Sequence, residues 1–485
     1  MNGVGGDLFA FVYDAASGTL HGLNAGGWSP RDLTPAFLRA RGISQMPDLG
    51  IHAVTVPGAV AGWDALSTRF GRLPLADVLA PAIFYAEQGF PVTDIIASRW
   101  AGWQPKLASD ASSAETYLVS GQAPRAGERF RNPGLAATLR RIARDGRDGF
   151  YRGDTAAAML TLSESLGGAM QADDLAEFSA EWVTPLSTTY RGWTVYELPP
   201  NTQGIAALLM LNLMEHYPIG DHGCLSADAL HLMIEAKKLA YADMIRYVGD
   251  PRFGTPGAPS PAALLDKTHA RGRAQLIDKA RAAERAEPSV LAGLTTSPGG
   301  DTIYLSVIDR DGNIVSLIQS IYYAFGSGLC PRGTGFMLHN RGALFTLEDG
   351  HPNALAGRKR PLHTIIPGFM ERGDVRIGFG IMGGFNQAQA HAQFVSNIVD
   401  HGLDIQHALE AARFTKKTFD GRDVEIESLV PESVRAERSR RDHPFPATVT
   451  VSATACGWPS WSASSAWASP RISSRASSTA SPRST

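Results

Sequence analysis

Two hydroxyl residues, Thr302 and Ser320, are placed by the local sequence so that they can meet. Thr302-Ile303-Tyr304-Leu305-Ser306-Val307-Ile308 alternates with period two, Asp309-Arg310-Asp311-Gly312-Asn313 is a turn cluster, and Ile314-Val315-Ser316-Leu317-Ile318-Gln319-Ser320 is a second strand-like run. The pattern predicts a β-hairpin. A turn symmetric about Asp311 sets Ile308 opposite Ile314 and Thr302 opposite Ser320, with Cβ atoms about 4.5–5.5 Å apart. A threonine hydroxyl is a weak nucleophile at neutral pH and needs a neighbouring base. The pair is also an ordinary cross-strand contact, and on spacing alone that is the stronger reading. Gly383-Gly384 is a second candidate: glycines let backbone N–H groups approach a developing oxyanion, and equally form a plain tight turn. His391, His401 and His407 have no carboxylate at useful spacing in the sequence, so no metal site and no cofactor are expected.

The elements that must carry these residues follow from local signals. Leu8-Phe9-Ala10-Phe11-Val12-Tyr13 and the run from Thr19 flank the turn Asp14-Ala15-Ala16-Ser17-Gly18 and predict a first hairpin. A helix is expected from Pro74 to about Gln88, with Gly89 as its stop, and another from Ser226 to Tyr247, where Met233, Ala236, Ala240, Met244 and Tyr247 recur at steps of three or four. Tyr190 to Leu198 alternates like a strand. Residues 268–290, rich in Arg, Ala and Glu, are expected as a solvated helix.

Composition narrows the class. The 485 residues are 44% hydrophobic, enough for a large core, and Lys+Arg 45 against Asp+Glu 47 leaves a net charge of −2, without the basic surplus that nucleic-acid binding needs. No apolar run approaches the ~18–20 residues of a membrane helix. Cys224, Cys330 and Cys456 form neither a CxxC pair nor a disulfide framework. With no signal peptide seen, a cytoplasmic location is expected. From Ser452 to Thr485 the chain is Ser-rich, lacks Asp, Glu and Lys, and yet holds Trp458, Trp461 and Trp467. Linkers avoid Trp, so residues 446–485 are expected to be an aberrant, disordered tail from a frameshift, with a natural disordered tail as the alternative.

Taken together, several ordered segments resemble the gamma-glutamyltransferase family. Gly300-Asp301-Thr302-Ile303-Tyr304 through Asp311-Gly312-Asn313 resembles its nucleophile region. Phe325-Gly326-Ser327-Gly328, Lys359-Arg360-Pro361, Met382-Gly383-Gly384, Val54-Thr55-Val56-Pro57-Gly58, Ala80-Pro81-Ala82-Ile83, Asp173-Asp174-Leu175, Tyr190-Arg191-Gly192, Pro199-Pro200 and Glu235-Ala236-Lys237-Lys238-Leu239-Ala240-Tyr241 match in order. The resemblance runs from about residue 3 to about residue 430. It implies an N-terminal-nucleophile hydrolase: an α+β, four-layer αββα sandwich whose precursor cuts itself between Asp301 and Thr302. Residues 1–301 would form the large chain and 302–445 the small one. Thr302 would be the nucleophile, its freed α-amino group the base, Ser320 the orienting hydroxyl, and Gly383 and Gly384 the oxyanion donors. The processed chains would stay associated, and a homodimer of such heterodimers is an open option. Family members carry a strand and helix ahead of the Gly5-Gly6-Asp7 segment, and further C-terminal strands, so these are expected to be missing here.

The resemblance also has departures. The family's substrate-binding Arg falls on Gly26, within Leu23-Asn24-Ala25-Gly26-Gly27-Trp28, its Asn on Tyr322, its Asp on Leu344, and its serine pair on His363 and Thr364. These are the contacts to a free amino acid head group, so a γ-glutamyl donor is not the expected substrate. The words Asn340-Arg341-Gly342 and Pro361-Leu362-His363-Thr364 are closer to the gamma-glutamyltransferase-like branch that includes oxamate amidohydrolases. Tyr322, Arg341, His363 and Thr364 are the candidate substrate-binding residues. Arg341 or His363 would be the cation for a small acyl amide bearing a carboxylate, although each also reads as a structural residue. Glutathione hydrolysis is one alternative; an inactive, unprocessed product of a damaged gene is another.

Overall fold

The computed structural model describes residues 2–254, 259–287, 300–416, 421–440, 448–449 and 467–469. Asp7–Asp14 (β1) and Thr19–Ala25 (β2) form the first hairpin, and helix Ala59–Phe70 (α1) follows. Glu181–Val183 (β3), Leu186–Tyr190 (β4) and Trp193–Glu197 (β5) precede helices Gly204–Met214 (α2) and Ala227–Tyr247 (α3). Gly300–Ile308 (β6), Ile314–Tyr323 (β7), Gly368–Arg372 (β8) and Val375–Phe379 (β9) come next, then helix Asn386–Val399 (α4) and the short strand Trp467–Ser469 (β10). One sheet has the order β3-β2-β1-β7-β6 and the other β10-β9-β8-β5-β4.

Alternation along the strands explains the layering. In β1, Phe9, Phe11 and Tyr13 point to one face and Leu8 and Ala10 to the other. The first set packs with Ile314, Ile318, Tyr304, Leu198 and Phe369 between the two sheets. The second packs with Leu23, Ala25 and Ala59 under α1. On the second sheet Val195, Met370 and Ile377 turn outward onto α2, α3 and α4, where Leu208, Ile234 and Val395 are completely buried. The stack is therefore helix, sheet, sheet, helix, the expected four layers.

The β6–β7 hairpin has the register derived from the sequence: Ile308 pairs with Ile314 and Thr302 with Ser320. The Asp309 carboxylate closes the turn by accepting the N–H groups of Asp311 and Asn313. Beyond Thr302 the register shifts, so that Asp301 faces Tyr322. Ser226 caps α3 by accepting the Ala229 N–H, and the helix expected from Pro74 runs Leu75–Gln88 and stops at Gly89, φ +87°.

One expected element is corrected. Among the described residues, only Lys267–Ala274 is helical in the stretch expected to form a solvated helix over 268–290. From Asp278 to Ala283 the backbone is captured by side chains of α3. His231 Nε2 lies 2.7 Å from the Asp278 carbonyl, Lys238 Nζ donates to the Ala283 carbonyl, and the Glu235 carboxylate accepts the Ala283 N–H. Residues 288–290 lie outside the described residues. So does most of the Ser-rich tail, of which only Thr448–Val449 and β10 are described, the latter paired antiparallel with β9.

Candidate active site

At the end of the β6–β7 hairpin Thr302 and Ser320 are both buried, and their hydroxyl oxygens lie 3.2 Å apart. Three further features fix Ser320. The Tyr322 N–H donates to its Oγ at 2.9 Å, Arg341 Nη2 donates to it at 2.7 Å, and Asp7 of β1 is its partner on the neighbouring strand. Tyr322 reaches back to Ser320 because its φ is +74°, a left-handed conformation that is uncommon for an aromatic residue and a mark of functional sites.

Arg341 lies beneath the pair, completely buried. Its Nη1 donates to Thr364 Oγ1 at 2.5 Å, its guanidinium sits 4.5 Å over the Tyr322 ring, and its Nε has no partner among the described residues. Burial pulls its pKa down to about 10, opposed by the Asp7 charge, so it remains a cation at neutral pH. His363 behaves otherwise. Its Nδ1 accepts the Ile365 N–H, which puts the ring proton on Nε2, 3.0 Å from Asp7 Oδ2. Burial first, and Arg341 second, push it down to about 3. The expectation of a cation at His363 is therefore corrected: the ring is neutral and faces Asp7, and Arg341 holds the positive charge.

The glycine pair lies in the loop between β9 and α4. Gly383 and Gly384 have φ of +133° and +59°, conformations that a Cβ disfavours, and lead into α4. Neither N–H has a partner among the described residues. Gln203 ties this turn to the rest, since its Nε2 donates to the Gly384 carbonyl at 2.8 Å and also to the Thr364 carbonyl. A continuous chain of contacts thus runs Thr302, Ser320, Arg341, Thr364, Gln203, Gly384. The backbone of the turn's approach is also held: His391 Nε2 accepts the Ile381 N–H, and its Nδ1 lies 2.7 Å from Glu197. His391 thus has a carboxylate neighbour after all, from a residue far away in sequence, and His407 has Asp404 at 2.7 Å.

The positions at which the sequence departs from the family pattern are packed into the fold. A Cβ at Gly26 would lie 2.9 Å from the Phe9 ring and 3.6 Å from the His363 ring. Leu344 packs in the helical core. The sequence reading did not single out Asp7, Gln203 or Glu197. Each is a polar residue beside glycine, proline or a strand end, and each is completely buried. Among the described residues no group of three His, Cys, Asp or Glu is placed to hold a metal ion, and no helix is long and apolar enough to cross a membrane.

The family model for gamma-glutamyltranspeptidase matches residues 1–470. The chain belongs to the gamma-glutamyltranspeptidase family. It is 37% identical over 419 residues to the glutathione hydrolase-like YwrD proenzyme of Bacillus subtilis, covering 85% of this chain and 77% of that protein. It is 36% identical over 422 residues to the oxamate amidohydrolase proenzyme of Klebsiella pneumoniae, with the same two coverages of 85% and 77%. The cephalosporin acylase of Bacillus halodurans superposes with a TM-score of 0.83 at 40% identity, over 92% of this chain and 80% of that one. These relatives are hydrolases by name, and this member of the gamma-glutamyltranspeptidase family is an enzyme with the N-terminal-nucleophile hydrolase fold.

Proposed function

We propose that this family member is a self-processing amidohydrolase with Thr302 as its nucleophile, acting on a small acyl amide such as oxamate. The observation that carries the reading is the buried Thr302–Ser320 hydroxyl pair at 3.2 Å, set on a cation and next to a register shift at the 301–302 peptide. In the first step Thr302 Oγ1 attacks the Asp301 carbonyl carbon, the C–N bond breaks, and the nitrogen takes the proton and becomes an α-amino group. Water then hydrolyses the resulting ester and frees the threonine. An unperturbed α-amino group has a pKa near ~8 and can serve as base for the same residue's hydroxyl. In turnover the hydroxyl attacks the substrate amide, the two N–H groups of Gly383-Gly384 stabilise the oxyanion, the amine leaves, and water releases the acid.

The substrate class follows from what surrounds the pair. The filled space at Gly26 disfavours an amino acid head group, while the Arg341 charge favours an acyl group carrying a carboxylate. Arg341 itself is fully buried, with both terminal nitrogens engaged, so it contributes chiefly through its field. A glutathione hydrolase is the second reading, supported by the name of the Bacillus subtilis relative. Strands from both sides of residue 301 share both sheets, meeting at the β1–β7 and β8–β5 pairings, so the two processed chains would stay together.

The test is intact mass and a denaturing gel of purified protein beside Thr302→Ala, with oxamate and glutathione as substrates. Two fragments, one starting at Thr302, and ammonia release from oxamate are expected, both lost in the variant. A single uncut chain without turnover in both proteins would overturn the reading.

A further inference from the structure

Asp7, the first residue of β1, is completely buried and plays no part in the reaction just described. A carboxylate is costly to bury unless opposite charge and hydrogen bonds compensate it. Its hydrogen bonds are complete: Oδ1 accepts the N–H groups of Gly27 and Gly58, each at 3.0 Å, and Oδ2 lies 3.0 Å from His363 Nε2. His339 Nδ1 is 3.6 Å from the same oxygen. Two of these neighbours are backbone amides and the His363 ring is neutral, and burial pushes the His339 ring down as well.

Arg341 has the complementary problem. It is equally buried, its two terminal nitrogens rest on neutral hydroxyls, and its Nε has no partner among the described residues. The two charges reach the site from two sides. Arg341 grips the hydroxyls of Ser320 and Thr364. Asp7 faces Ser320 across the β1–β7 ladder and fixes the His363 ring, whose backbone continues into Thr364.

We propose that Asp7 is the counter-ion of Arg341 and a positioning residue for the Thr302–Ser320 pair, acting through Arg341 and His363–Thr364 without touching substrate. The charge directions agree. Burial pushes the Asp7 carboxyl up, yet His339, His363 and Arg341 together hold it below its ordinary value. This role rests on Thr302 being the nucleophile.

The test is a double-mutant cycle in the full chain: Asp7→Asn, Arg341→Met, and the two combined, read by melting temperature, by the rate of fragment formation, and by kcat and KM on oxamate. Each single variant leaves one buried charge without its counterpart, so the double variant should melt above the less stable single one, because both charges are then gone. Asp7→Asn should lower the cutting rate and kcat by about ten- to a hundredfold with KM little changed, and Asp7→Asn should add nothing to the loss in Arg341→Met. Melting losses that simply add, or a wild-type kcat in Asp7→Asn, would overturn the proposal. If Asp7→Asn alone is insoluble, the double variant must recover solubility; an insoluble double variant also counts against it. Melting temperatures do not depend on turnover. A coupled pair in a wild-type chain that neither cuts nor hydrolyses would keep the counter-ion assignment and remove the nucleophile reading instead.

Discussion

Replacing Ser320 by alanine removes the oxygen on which Thr302 at 3.2 Å, the Tyr322 N–H at 2.9 Å and Arg341 Nη2 at 2.7 Å converge. A hydrogen bond to a charged group contributes about 1.5–3 kcal/mol and a neutral one about 0.5–1.5 kcal/mol. Three orphaned buried donors, one of them charged, therefore cost about 2.5–6 kcal/mol. For a chain of 485 residues the unfolding entropy is near ~1 kcal/mol per degree, so the melting temperature should fall by only about 2.5–6 °C. The protein should stay folded at assay temperature. The kinetic effect should be much larger, because a nucleophile released from its orienting partner loses on the order of a hundredfold in rate. The assay follows appearance of the Thr302 fragment by denaturing gel and mass, with melting curves on the same samples. Ser320→Thr retains an acceptor oxygen and should keep most of the rate. Ser320→Ala cutting at the wild-type rate, with an unchanged melting temperature, would refute the argument that this oxygen organises the site.

Further outcomes follow from the same geometry. Gly26→Ala brings a Cβ to 2.9 Å from the Phe9 ring and should cost about 1–3 kcal/mol by overpacking, measured by denaturant unfolding; Gly26→Arg should give no γ-glutamyl hydrolysis. Gln203→Ala leaves the Gly384 and Thr364 carbonyls without their amide partner and should lower kcat more than it changes KM, read in steady-state kinetics. His363 is depressed to about 3 in the folded chain against about 6.5 unfolded, so between these values the unfolded state binds the extra proton, and stability should fall as pH is lowered through that window. His363→Gln, which cannot take up that proton, should show a shallower decline in melting temperature from pH 6.5 towards 3.

The parts of the fold that were legible in the sequence are those set by near neighbours. The β6–β7 register follows from a turn whose residues sit within a few places of each other, and the capped α3 from a serine and an apolar period. Asp7 could not be read in this way. Its partners, Gly27, Gly58, His339 and His363, come from four separate segments, and nothing local marks an aspartate as buried. Gln203 is similar, joining two carbonyls of distant loops. Local preference also misled: residues 275–287 have helix-forming composition, but hydrogen bonds from His231, Glu235 and Lys238 outcompete those a helix would make. For His363 the sequence offered a residue able to carry charge, and only its burial beside Arg341 shows that it does not.

The pairing of β1 with β7 has a consequence for biosynthesis. Asp7 to Tyr13 lie against Ile314 to Ser320, so the first strand of the sheet meets its inner neighbour only after some three hundred further residues have been made. At about 5–20 residues per second, that is a wait of roughly 15–60 s. Throughout it, both apolar faces of the β1–β2 hairpin lack part of the core that will cover them. Such high contact order favours slow folding and early aggregation. Soluble yield should therefore depend on chaperone supply and on synthesis temperature more steeply than on the thermodynamic stability of the finished fold.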